Sequence, residues 1–153
     1  MHRLEHRIPP PILLAVIAAV MWPLAGLSPE ISLDPMPRAV LAACCGIAGL
    51  LIAGAGVGAF GRARTTINPV NIDAASALVT TGIFAHTRNP MYLGMSLLLA
   101  GWAIWLAGAV ALLGVVVFVL FIDRFQIVPE ERVLAAKFGS AYDDYRRAVR
   151  RWI

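Results

Sequence analysis

Charged residues are scarce in this chain. They make up 14 % of its 153 residues, against about a quarter in an ordinary soluble domain. Hydrophobic residues reach 59 % and mean hydropathy is +0.76. An apolar excess of this size argues against a soluble fold and for a polytopic membrane protein. Cysteine is scarce too. Cys44 and Cys45 adjoin inside an apolar run, which leaves no disulfide framework and no CxxC motif. They read as small packing residues. Metal chemistry finds no ligand set: His86 has no partner at ligand spacing, and the adjacent Glu130 and Glu131 diverge on a helix. No GxSxG motif is present, and nothing pairs a serine with His86. Gly54, Gly56 and Gly58 imitate a phosphate-binding glycine motif, but they lie inside an apolar run with no strand before them.

What the chain does have is four apolar runs, at 12–27, 39–60, 90–107 and 109–128. The first is short, contains Pro23 and follows a basic start, so a cleaved signal peptide competes with a retained helix. The retained helix is preferred, because the run ends without a clean small-x-small cleavage site. Trp22 sits near its far end, as an interfacial aromatic would. Gly54 and Gly58 have the small-xxx-small spacing that lets membrane helices approach. Asn89 before Pro90 suits an N-cap followed by proline at the first helical position. Gly108 leaves room for only a tight turn, so the third and fourth runs should form an antiparallel hairpin. Asp123 and Arg124 fall near its far end and should face water or headgroups.

The tail, 129–153, is amphipathic. Leu134, Phe138, Tyr142, Tyr145, Val149 and Trp152 recur at three- and four-residue steps. Gly139 interrupts the pattern, and Ser140 with Asp143 resembles a capping box restarting a helix. Arg146, Arg147, Arg150 and Arg151 then read as headgroup contacts of a helix lying at the membrane surface. With four spans, twelve of the thirteen Lys and Arg residues share one side, and only Arg38 falls opposite. The positive-inside rule places both termini in the cytoplasm. The expected fold is all-α: one integral membrane domain over 1–153, with four transmembrane helices, a C-terminal helical hairpin and amphipathic cytoplasmic tail helices. The net charge of +4 is then accounted for by topology and anionic lipid rather than nucleic acid.

The hairpin brings two polar thresholds together. His86, Arg88, Asn89 and Tyr92 open it; Glu130, Glu131 and Arg132 leave it. Charged groups at membrane depth are tolerated where they line a cavity, and a cavity of aromatics and a few charges suits an amphiphilic ligand. These residues carry a resemblance. Gly82, His86, Arg88, Asn89, Pro90, Tyr92 and Gly94 resemble the signature of the membrane-embedded methyltransferases, which include isoprenylcysteine carboxyl methyltransferase and the phospholipid methyltransferases. The spacing of Glu130, Glu131, Leu134, Phe138, Gly139, Tyr142, Tyr145 and Val149 resembles the second half of that signature. The likeness covers about 78–152, and Asn89 stands where the family commonly has His.

The resemblance implies S-adenosyl-L-methionine as methyl donor and methyl transfer at the cytoplasmic membrane face. The implied acceptor is small or lipophilic: an isoprenylcysteine-like carboxylate, a lipid amine or a thiol. It implies residence in a bacterial inner membrane, contact with membrane lipids and no nucleic-acid partner. Glu131, Arg88 and Asn89 are the implied catalytic residues, with Glu131 preferred within the acidic pair. His86, Asn89, Pro90, Tyr92, Leu93, Gly94, Glu130, Glu131 and Tyr142 are the implied donor contacts, and no metal is expected. The alternative is a non-catalytic helical membrane protein that binds lipid or a partner.

Overall fold

Each apolar run becomes a helix. The computed structural model describes residues 8–27, 29–63 and 77–153. Arg3, Arg7, Arg64 and much of the loop ahead of Ala77 lie outside the described residues. The helices are α1 (Pro10–Ala25), α2 (Pro35–Ala63), α3 (Pro90–Leu106), α4 (Ala111–Ile122), α5 (Val128–Phe138) and α6 (Ser140–Ala148). A 3-10 turn, Gly82–Ala85, precedes α3, and a π-helical turn, Asp123–Ile127, joins α4 to α5. Among the described residues the fold is all-α, with one isolated bridge between Glu30 and Gly108.

α2 overruns its apolar stretch at both ends. Its start at Pro35 is possible because proline lacks only a donor that the first turn leaves unpaired. Among the described residues, two helices are long and apolar enough to cross a membrane: α2, with 29 residues, and the continuous helix Ala111–Phe138, with 28. α1 and α3 are shorter apolar helices of 16 and 17 residues. The apolar part of the long helix ends at Val128. Leu51 on α2 is 68 % exposed and Leu120 on α4 is 63 % exposed. Such aliphatic flanks are costly in water and neutral in lipid.

α2 and α3 pack most closely. A Cβ on Gly94 would stand 2.5 Å from the Gly49 carbonyl oxygen, and one on Gly101 2.8 Å from that of Ala42. Gly56 lies against Pro90 and Met91. The contact stripe on α2 is therefore Ala42, Gly49, Ala53 and Gly56. Gly54 and Gly58, whose spacing predicts a helix contact, meet no neighbouring helix. The 3.6-residue turn carries them off the contact face.

The hairpin forms as expected, with a different division of labour in its turn. The left-handed residue is Ala107, at φ 52°. Gly108 is needed for close approach, since a Cβ there would lie 2.7 Å from Ala25 of α1. α1 closes over the hairpin: Met21 packs against Gly114, and Trp102 Nε1 donates to the Ala18 carbonyl at 3.0 Å. Phe118, Ile122 and Leu99 complete this core.

Two expected caps do not form. Asn89 holds the N-cap position of α3 without a side-chain capping bond, because its amide is committed elsewhere. Gly139, at φ 53°, is itself the N-cap of α6, so Ser140 begins the helix and no capping box exists. Asp143 instead pairs with Arg146 at 3.4 Å.

The glycine geometry makes a prediction. Gly94→Ala should lower the thermal unfolding midpoint in detergent micelles, with an overpacking cost of about 1–3 kcal/mol. Gly54→Ala should leave it unchanged or raise it, since an open helical glycine costs up to about 1 kcal/mol relative to alanine. Equal shifts in the two variants would contradict this packing.

Candidate functional site

The two thresholds meet as the hairpin requires, and one carboxylate joins them. Glu131 accepts from Arg88 Nη2 at 2.6 Å, from Arg151 Nη2 at 2.6 Å and from Arg151 Nε at 3.1 Å. Arg151 reaches past it to Asp123 at 3.0 Å. The side chains of Arg88 and Glu131 are only 9 % and 13 % exposed. Two cations on a single buried carboxylate, with Asp123 behind, balance charge locally. Unpaired, Arg88 and Glu131 would bear a large desolvation cost, and the partly exposed Arg151 and Asp123 a smaller one.

The backbone reinforces this bracket. Beyond α6 the chain turns extended at Val149, with φ −123° and ψ 133°. It then runs alongside residues 87–89. Arg88 N donates to the Arg150 carbonyl at 3.1 Å. Arg88 Nη1 donates to the carbonyls of Arg146 and Val149 at 2.9 and 3.0 Å. Asn89 Nδ2 donates to the Arg151 carbonyl at 2.9 Å. The expectation that Arg151 faces headgroups with Arg146, Arg147 and Arg150 therefore fails for Arg151. A four-arginine run on an amphipathic tail looks uniform in sequence, but the chain leaves the helix at Val149 and turns Arg151 inward. Sequence reasoning missed this residue, and only its position just past the end of α6 set it apart.

Beside the bracket lies a cavity of about 300 Å³, at the lower end of the range for small-molecule sites. Its apolar wall comes from Pro10 and Pro11 at the start of α1, Val57 and Phe60 of α2, Phe84, and Met91 and Met95 of α3. Phe60 and Phe84 meet edge to face at 5.2 Å. Arg88, Asn89, Tyr92, Glu130, Glu131 and the two tyrosines of α6 form the polar end. Tyr145 donates to the Phe84 carbonyl at 2.7 Å, tying α6 to the 3-10 turn. Burial pushes the Tyr142 phenol up to about 12, with nearby Glu131 adding and Arg88, Arg146 and Arg151 opposing. It therefore stays a neutral donor near pH 7.

Glu130 differs from its neighbour. It accepts a short hydrogen bond from the Tyr92 hydroxyl and has no ion-pair partner among the described residues. It lies beyond the apolar part of its helix. Burial pushes its carboxyl up to about 7, with the Tyr92 bond pulling down and the Glu131 charge pushing up. Of the acidic pair, Glu131 has its oxygens taken by two arginines. Glu130 carries no cation among the described residues.

Of the sequence-derived site residues, Arg88, Asn89, Pro90, Tyr92, Glu130, Glu131 and Tyr142 reach this cavity. His86, Leu93 and Gly94 do not line it. His86 is exposed at the end of the 3-10 turn. Gly94 is buried against Gly49 at the α2–α3 contact, so its requirement is close packing. Leu93 follows Tyr92 by one residue, about 100° round the helix from it.

The arrangement of the two thresholds agrees with the chain's relationships. Residues 37–141, more than half of the chain, match the phospholipid methyltransferase family. The chain belongs to the phospholipid methyltransferase family. It is 48 % identical over 63 residues to an uncharacterized protein of Haemophilus influenzae, a match covering 41 % of this chain and 100 % of that protein. It is also 37 % identical over 79 residues to the protein-S-isoprenylcysteine O-methyltransferase of Schizosaccharomyces pombe. That match covers 47 % of this chain but only 30 % of the yeast enzyme. Membership makes S-adenosyl-L-methionine the methyl donor expected of this phospholipid methyltransferase relative. The cavity suits such a donor in chemistry: aromatic walls and, among the described residues, a carboxylate without a cation and a buried Arg88 Nε without a hydrogen-bond partner.

The two glutamates should separate in a stability measurement. Glu131→Ala deprives the nearly buried Arg88 guanidinium of its carboxylate, leaves Arg151 to Asp123 alone, and should cost about 3–5 kcal/mol. Glu130→Gln keeps an acceptor for Tyr92 and should change stability by no more than about 1 kcal/mol. Chemical unfolding of the detergent-solubilised variants checks the order.

Proposed function

We infer that the protein transfers a methyl group from S-adenosyl-L-methionine to a small or lipophilic acceptor at the cytoplasmic face of the membrane. The observation that carries this reading is the cavity itself. Its polar end presents Glu130, a carboxylate with no ion-pair partner among the described residues, and its apolar wall reaches α1, α2 and α3. Family membership supports the reaction class.

When bound, the donor supplies an electrophilic methyl on a sulfonium sulfur. The chain's own residues supply position and field. Glu130 as the anion, with the faces of Tyr92 and Tyr142, would hold a cationic group. Arg88 Nε would donate to a carboxylate. Asn89 Oδ1 would accept from a ligand N–H, its Nδ2 being committed to the Arg151 carbonyl. The apolar wall excludes water, so that donor and acceptor are held in line with little competition from solvent. No covalent intermediate with the protein is required. The acceptor's apolar part would lie along Val57, Phe60 and Met95.

The proposed topology has four spans in a single domain over 1–153. α1, α2, α3 and the apolar stretch ending at Val128 cross a bacterial inner membrane, and both termini are cytoplasmic. The exposed aliphatic residues of α2 and α4 and the one-sided cation distribution support this arrangement. A reporter active only in the cytoplasm, fused after Ile153, should be active.

The chemical test is calorimetric titration of the micellar protein with S-adenosylhomocysteine and S-adenosyl-L-methionine. Saturable binding is expected. Absence of heat and of thermal shift at millimolar ligand would leave the non-catalytic, lipid-binding alternative. Because a neutral Glu130 cannot attract a cation, affinity for the donor should fall as pH drops through about 7. Glu130→Gln should flatten that dependence. Radiolabel transferred from the donor into a membrane extract should identify the acceptor.

A further inference from the structure

We propose that Arg151 is a positioning residue for the donor end of the cavity, acting from outside it through both its backbone and its side chain. The inference rests on the methyl-donor reading above. Arg151 does not line the cavity, yet three residues that do depend on the C-terminal segment it anchors.

The first is Asn89. A carbonyl can only accept, so the 2.9 Å bond from Asn89 Nδ2 to the Arg151 carbonyl fixes which way the amide lies. Oδ1 thereby lies on the side of the amide away from that carbonyl, so its place as an acceptor is fixed. Free rotation of this amide would offer a donor and an acceptor interchangeably; the Arg151 carbonyl removes that choice. The same carbonyl accepts from Thr87 Oγ1 at 3.4 Å, and Thr87 Oγ1 accepts from Asn89 N at 3.2 Å. Both the side chain and the backbone of Asn89 are thus set from one oxygen.

The second and third are Glu131 and Arg88. The Arg151 guanidinium makes two of the three side-chain bonds to Glu131, with Nη2 and Nε on different carboxylate oxygens. This forked grip fixes the carboxylate plane in a way that lysine, a point charge, cannot. Glu131 in turn holds Arg88 Nη2 at 2.6 Å, which aims the rest of that guanidinium, including its unpartnered Nε. Asp123, in the π-helical turn, braces Arg151 from behind at 3.0 Å. Trp152 packs against the core and keeps the segment seated.

The experiment is S-adenosylhomocysteine titration of the full-length protein in micelles, with circular dichroism reporting the folded fraction. Arg151→Gln should weaken binding per folded molecule by at least about tenfold, the loss expected when charge-assisted bonds no longer hold the binding groups. Arg151→Lys should recover only part of the affinity. Asp144→Ala, which opens the exposed Asp144–Arg147 pair, should change it by less than about twofold. Donor affinity of folded Arg151→Gln equal to the parent's would overturn the proposal, even with a lowered unfolding midpoint, because that pattern belongs to a purely structural residue. Absence of binding by the parent protein would overturn the donor reading of the cavity and this inference with it. Should Arg151→Gln not fold, carboxypeptidase trimming of the parent protein decides. S-adenosylhomocysteine should slow release of the last residues, and equal rates with and without it would overturn the proposal.

Discussion

Everything at the polar end of this protein depends on one carboxylate between two guanidiniums. Glu131 is nearly buried, as is Arg88. A charge so placed is tolerable only with its partners present and well aligned. The arrangement therefore links three parts of the chain that are distant in sequence: the foot of α3, the start of α5 and the C-terminal segment. Removing Glu131 leaves the nearly buried Arg88 without its carboxylate, whereas removing either arginine leaves Glu131 paired to the other. The polar end thus relies on a few strong contacts, whereas those of the apolar bundle beneath it are many and individually weak.

The bracket also explains why adjacent glutamates behave differently. Helical geometry sends neighbouring side chains about 100° apart. Glu131 faces the arginines, and Glu130 faces Tyr92. A neutralised carboxylate is of little use to a cation, whereas Glu130, with no counter-ion among the described residues, has its charge available at an energetic cost. Burial raises the Glu130 carboxyl to about 7, so near neutral pH a modest interaction with a bound cation can determine its ionisation. Two consecutive carboxylates thus differ in setting, one ion-paired and one bonded to a tyrosine hydroxyl.

Much of this was legible in the sequence, for identifiable reasons. Hydropathy located the helices because long apolar runs with few charges have few alternatives. The short loop at Gly108 implied the hairpin, and the hairpin implied that Arg88 and Glu131 would meet. What was not legible depended on angle rather than spacing. Gly54 and Gly58 have the right interval for a helix contact and the wrong azimuth; Gly49 and Gly56 have the contact. Asn89 has the right identity and position for a cap, but a carbonyl more than sixty residues away takes its amide. Arg151 belongs by composition to a solvated basic run. Its inward turn follows from where α6 ends, and helix ends are among the least readable features of a sequence.

The close α2–α3 packing bears on the same site. Small residues let these helices approach until a Cβ at Gly94 would touch the Gly49 carbonyl. At the upper end of the contact, Gly56 receives Pro90 and Met91, so α2 fixes the height and tilt of the first turn of α3. That turn carries Tyr92, and Asn89 immediately precedes it. The adjacent α2 residues Val57 and Phe60 form the apolar wall of the cavity. One helix contact therefore positions the hydroxyl that meets Glu130 and the surface along which an apolar ligand would lie. The family signature that includes Gly94 reads as a motif of site residues. Here it is better understood as two cavity-lining residues, Asn89 and Tyr92, and the glycine that holds their helix in place.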